Sequence, residues 1–154
     1  MVAITVILAA VIAAFVFGMG TPKQAPQASI RASSVDAAWD YIKLEHQGGA
    51  DITLSDVKLI VENPTNRTTW SKMGNTTKFK AGDVIYVYTN STVTGQNPLS
   101  STGVFLNGQS VSGGMNVTAT YEAGNTDITS GYEIVVTMID VPSGQQIAKT
   151  IIRT

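Results

Sequence analysis

The first twenty residues, MVAITVILAAVIAAFVFGMG, carry no charge, and the first charged side chain is Lys23. This run limits the fold more than any other feature. It is apolar all round, so as a helix it has no polar stripe to turn to solvent and is not an ordinary surface helix. At a rise of about 1.5 Å per residue, twenty helical residues span about 30 Å, the thickness of a bilayer's hydrocarbon core. Thr5 is the only polar side chain in it, and its hydroxyl is expected to bond a carbonyl one turn back. Gly18, Gly20 and Pro22 are expected to end the helix.

Every charged residue, 10 Lys and Arg and 11 Asp and Glu, follows this run. The 44% hydrophobic content therefore averages two materials, an uncharged rod and a Thr-, Ser-, Asn- and Gly-rich body. A formal net charge of -1 gives no polyanion-binding surface, so nucleic acid is not an expected partner. The absence of cysteine excludes disulfides, thiolate zinc sites and cysteine nucleophiles. The single histidine, His46, excludes a multi-histidine metal site within this chain.

Three readings of the rod compete. A cleaved secretory signal would have a shorter apolar run and a basic start. A plain single-pass anchor explains the hydropathy alone. The third reading is a helix that lies in the membrane only while stored and then packs with copies of itself. Small residues favour the third. Ala9 and Ala13, Ala10 and Ala14, and Ala14 and Gly18 are each four apart, which puts them on shared faces where backbones can approach closely. The residues expected to pack a filament core are Ala3, Val6, Ala9, Ala10, Ala13, Ala14, Phe15, Phe17 and Gly18.

After the Pro- and Gln-containing joint TPKQAPQAS the period changes from helical to alternating. In DVKLIVEN, Val57, Leu59 and Val61 share a face. In DVIYVYTN, Ile85 and Val87 alternate with Val84, Tyr86 and Tyr88, and both faces are expected to be covered. WDYIKLEH reads as a strand ended by Gly48 and Gly49, and NVTATYEA places Val117, Ala119 and Tyr121 together. YEIVVTMID and QIAKTIIRT flank VPSGQ and read as a hairpin, with Ile134, Val136 and Met138 facing the core. No second helix is apparent, so the class of the body is an all-β sandwich.

Few residues suggest chemistry, and neither an enzyme nor a cofactor is expected. His46 precedes a Gly-Gly turn, and Glu45 points to the opposite face of the strand, so a structural histidine is the favoured reading. Asp51, Asp56, Asp83, Asp127 and Asp140 lack calcium-loop spacing and read as turn residues and solvated charges. The glycines lack phosphate-loop spacing. Phe15 and Phe17 read as packing rather than as an electron path. Four Asn-x-Ser/Thr sequons, at Asn66, Asn75, Asn90 and Asn116, are candidates for N-glycosylation, whereas proline disqualifies Asn63 and Asn97. LSSTG is a further candidate for sugar attachment.

MVAITVILAAVIAAFVFG closely resembles the N-terminal segment of archaeal type IV pilins. LEHQGGADITLSDVKLIVEN is similar to the His-x-Gly-Gly and following strand early in that family's head, and FKAGDVIYV to its Phe-x-x-Gly-Asp strand entry. The family's basic leader and its Ser-Pro-Val-Ile-Gly segment do not precede the apolar run. The mature start is therefore expected upstream of Met1 or, unusually, at Met1. The resemblance implies an α+β chain: a hydrophobic helix over 1–20, a linker over 21–29 and an immunoglobulin-like β-sandwich head over 30–154. It implies a structural subunit of an extracellular pilus, serving adhesion to surfaces or other cells. Its implied partners are identical subunits in a helical filament, a membrane before assembly, the pilus assembly machinery and a leader peptidase. The alternatives are an archaellin, the motility-filament relative, and a membrane-anchored β-sandwich binding protein.

Overall fold

The computed structural model describes residues 1–36, 41–64, 67–70, 77–89, 103–107, 109–111, 117–119 and 130–154. The rod forms α1 (Val2–Gly18), and Thr5 Oγ1 donates to the Val2 carbonyl at 2.8 Å. The helix stops because Met19 turns to an extended conformation (φ -79, ψ 95), with glycines on either side and Pro22 beyond. Its 17 residues rise about 26 Å, short of the expected twenty-residue span. Among the described residues, no helix is long and apolar enough to cross a membrane.

The strands follow in chain order: β1 (Ala28–Asp36), β2 (Tyr41–Gly49), β3 (Ile52–Thr53), β4 (Val57–Glu62), β5 (Arg67–Trp70), β6 (Lys78–Phe79), β7 (Val84–Tyr88), β8 (Gly103–Leu106), β9 (Gln109–Ser110), β10 (Val117–Ala119), β11 (Glu133–Asp140) and β12 (Gln145–Arg153). One sheet runs β1-β2-β7-β8-β9, the other β10-β5-β4-β11-β12, and β3 pairs with β6. Every pairing is antiparallel. A one-turn 3-10 helix, Leu54–Asp56, is the other helical element among the described residues.

Alternation builds the core. Ile42, Leu44, Ile85 and Val87 of the first sheet meet Val57, Leu59, Val61, Ile134, Val136 and Met138 of the second in one buried cluster. Burying such a side chain stabilises the head by about 1.5–3 kcal/mol, so the pattern that selects the strands also holds the sheets together. The outer face of β7 is partly covered by aromatics. Tyr41 lies 5.9 Å from Tyr86 and 5.6 Å from Tyr88, centroid to centroid, and Tyr88 meets Phe105 edge-on at 5.7 Å. The terminal hairpin forms as its sequence predicts, with Val136 opposite Thr150.

β1 keeps its apolar side chains inward although its sequence does not alternate. Ala32 pairs with Leu44 and Ser34 with Lys43, so Ser33 is an extra residue in a bulge. The bulge lengthens the apolar spacing after Ala32, and Ile30, Ala32 and Val35 all pack against the core. β1 also lies against β12, where Thr150 Oγ1 donates to the Ile30 carbonyl at 3.4 Å. Trp39 and Asp40 of the expected WDYIKLEH strand, and Tyr121 of NVTATYEA, lie outside the described residues.

Candidate functional site

Two regions invite a functional reading, the rod and the neck that joins it to the head. No residue of α1 is buried. Of its large apolar side chains even the least exposed, Val11, is 50% exposed, and Phe17 is 87% exposed. The nine residues expected to pack a filament core all lie on this helix and are all exposed. Ala14 and Gly18, with Phe15 and Met19 beside them, line a shallow apolar groove. The groove arises because small residues four apart leave the helix surface low between larger neighbours.

The corner of the head that receives the neck is built from the two stretches singled out in the sequence, His46 to Ala50 and Phe79 to Asp83. His46 is 2% exposed. Its Nδ1 accepts from the Gly48 N–H at 3.2 Å, which leaves Nε2–H to donate to the Ala50 carbonyl at 3.1 Å. The ring meets Phe79 edge-on at 5.0 Å. The His46 N–H donates to the Asp83 carbonyl at 3.1 Å, and the Gly82 N–H to the His46 carbonyl at 2.9 Å. Gly82 has φ +91, a conformation that a side chain would strain. His46 thus ties a Gly-Gly turn to a Phe-Lys-Ala-Gly-Asp turn, and both ring nitrogens bond backbone groups. Neighbouring Glu45 points away and pairs with Lys43 at 2.8 Å. That hydrogen bond holds the Glu45 carboxyl below its ordinary range and raises Lys43.

Asp83 closes the second turn. Its Oδ1 accepts from Asn107 Nδ2 at 2.9 Å and its Oδ2 from the Lys80 N–H at 2.9 Å. Asn107 sits at φ +49, which asparagine tolerates, and its Oδ1 accepts from the Val84 N–H at 3.0 Å. The Asn107 hydrogen bond, followed by that from Lys80, lowers the Asp83 pKa from its ordinary 3.8. A carboxylate with a depressed folded-state pKa adds stability that is complete above its unfolded pKa and is lost as pH falls through the folded one. The head is therefore expected to lose this contribution below about pH 3.8, and Asp83→Asn should flatten that part of a melting-temperature profile. An unchanged acid limb in the variant would remove Asp83 as the cause.

The chain leaving the rod docks on this corner. Ala25 is 4% exposed, and its N–H donates to Gln145 Oε1 at 3.3 Å. The Gln27 carbonyl accepts from the Ala50 N–H at 2.8 Å. The Gln145 backbone is tied to the hairpin turn: its N–H donates to Ser143 Oγ at 3.2 Å, and Asp140 Oδ2 accepts from the Ser143 N–H at 3.0 Å and from its hydroxyl at 2.5 Å. The neck thus touches the first sheet through β2 and the second through the β11–β12 turn. Sequence reasoning missed this docking. Its one signal was the Gly48–Gly49 pair, which read only as the end of a strand.

Asp83 and Asp140 serve turns, while Asp127 and the sugar-attachment candidates Asn66, Asn75, Asn90, Asn116 and 99–102 of LSSTG lie outside the described residues. Among the described residues, no three of His, Cys, Asp and Glu converge as metal ligands would. The site's geometry is mechanical: a bare apolar rod, a short joint and a clamped entry into a sandwich.

Residues 1–30 match the family described as archaeal type IV pilin, N-terminal. The rod and the linker that follows it fall within that match. A protein of Archaeoglobus fulgidus, described as uncharacterised, is 48% identical over 63 residues, covering 40% of this chain and 44% of that protein. The chain thus spans less than half the length of the relative it matches. The match ends at Ile30, within β1, so it takes in the chain between α1 and β1.

Proposed function

We propose that the chain is a structural, non-catalytic subunit of an extracellular type IV pilus that polymerises through α1 and serves adhesion to surfaces or other cells. The observation that carries the proposal is the rod without charged side chains, exposed along its whole length, within the segment that matches the pilin family. Ten large apolar side chains of α1, from Val2 to Phe17, stand at least half exposed, and keeping them from water is worth on the order of tens of kcal/mol. An isolated subunit in water is not a workable state, and a bundle of identical rods removes the exposure. Before assembly the rod lies in the membrane, where its shortfall of a few Å is met by local thinning of the bilayer at small cost. Transfer from lipid to bundle gains nothing from hydrophobicity, since both are oily. Close packing at the small-residue faces and contacts between heads supply the preference, and assembly machinery performs the transfer after a leader peptidase has acted. The repeat is open and helical, with the heads outside. Glycans at Asn66, Asn75, Asn90 and Asn116 would decorate that outer wall.

Shearing of cells followed by negative-stain microscopy tests this reading. The subunit is expected in the sheared fraction as thin fibres, with peptides spanning the sequons heavier than their bare polypeptide mass where glycans are attached. A subunit that stays with the cell body would contradict the pilus and favour an anchored binding protein. Fibres whose loss stops swimming would favour an archaellin, and sequon peptides found only at their bare polypeptide mass would remove the glycans.

A further inference from the structure

We infer that residues 25–28 are held in a seat built by both sheets, that Gln145 and Gly49 are its positioning residues, and that the swivel between rod and head is confined to residues 19–24. Three observations converge. Ala25 is buried although it lies in a segment that composition marks as a loose joint, and its N–H is taken by Gln145 of the second sheet. The Gln27 carbonyl is taken by Ala50, just past the first sheet's Gly-Gly turn. Gly49 has φ +106, and a Cβ there would lie 2.5 Å from the Gln27 oxygen and 2.9 Å from the Ala28 Cα. These are backbone atoms that cannot yield without lifting the neck, so the close approach requires glycine. Gly48 supplies an internal control: it too has positive φ (+149), but a Cβ there would meet nothing within 4 Å. Residues 19–24 are all exposed, and Gly20 has open space around it.

The seat explains why two separate turns are tied together by a buried histidine. They form a rigid corner against which the neck can register. The seat belongs to the single chain. Its consequence for a fibre, that each head takes a defined position around the rod bundle, rests on the pilus reading.

Lys23 makes the seat measurable, because it is the sole basic residue before Arg31 and lies two residues from Ala25. Trypsin must draw about three residues on each side of a bond into extended form, so cutting after Lys23 requires Ala25 to leave its seat. Cleavage is read on the detergent-solubilised full chain, which neither needs nor tests polymerisation. Gln145→Ala is expected to speed this cut about three- to tenfold, the range one lost hydrogen bond allows, with an unchanged melting temperature. Gln145→Glu keeps the acceptor and is expected to cut at or below the wild-type rate. Gly49→Ala is expected to cut faster than Gly48→Ala. Wild-type cleavage in Gln145→Ala, or a Gln145→Glu as fast as it, would overturn the seat. Equal rates for the two glycine variants would do the same, and if Gly49→Ala does not fold, the Gln145 pair decides alone.

Discussion

Ala14→Asp is expected to abolish filaments while the head stays folded. Ala14 lies one turn before Gly18, in the groove where α1 offers the closest approach to a neighbour, and it is exposed. In a bundle of identical rods the substitution buries one carboxylate per subunit with no cationic side chain on α1 to pair with it, since the first charged side chain is Lys23. An unpaired buried charge costs several kcal/mol even after relaxation, and the helical repeat imposes that cost at every subunit. Ala10→Asp, one turn earlier, is expected to behave alike. Ala14→Asn carries no charge and is expected to restore some fibres. The check is the yield of fibres in the sheared fraction, alongside circular dichroism of the head. Abundant normal fibres from either aspartate variant would count decisively against a rod bundle.

The second large effect concerns the head. His46→Ala is expected to lower its stability by about 3 kcal/mol, or roughly 10 °C in melting temperature. The loss has two parts. The Gly48 N–H and the Ala50 carbonyl lose their partners in a buried corner, and a void opens beside Phe79. His46→Phe fills the void without replacing either hydrogen bond, so it should recover part of the loss. Thermal melts of the two variants separate the terms. A His46→Ala head as stable as the wild type would mean that the corner holds nothing.

What the sequence made legible follows from which signals are local. Val57, Leu59 and Val61 alternate, as do Ile134, Val136 and Met138, and all six are buried as their period predicts. The terminal hairpin is marked by its Pro–Gly turn. β1 gives no such signal, because the bulge at Ser33 breaks the two-residue spacing between Ala32 and Val35. The seating of Ala25 was hidden for a different reason. Gln145 lies 120 residues away, and no local pattern records so distant a partner. His46 shows both limits. That it is structural could be read from its lack of a suitable neighbour, whereas its ties to Gly48, Ala50 and Phe79 required the fold. The twenty-residue length of the rod comes from hydropathy, which counts Met19 and passes over Gly20, whereas Gly18, Gly20 and Pro22 mark where a helix ends and the backbone leaves it after the first of them.

The rod and the head also divide the work of stability. The head's core is satisfied within one chain. α1 has no buried residue at all, so its stability must come from other molecules. The decisive question is therefore where α1 lies in the assembled state. Cryo-electron microscopy of sheared fibres measures this most directly. The prediction is a central bundle of α1 helices, in contact through the faces that carry Ala10, Ala14 and Gly18, with the β-sandwiches as an outer wall. Fibres held together by their sandwiches, with α1 on the outside or taking no part in subunit contacts, would contradict it.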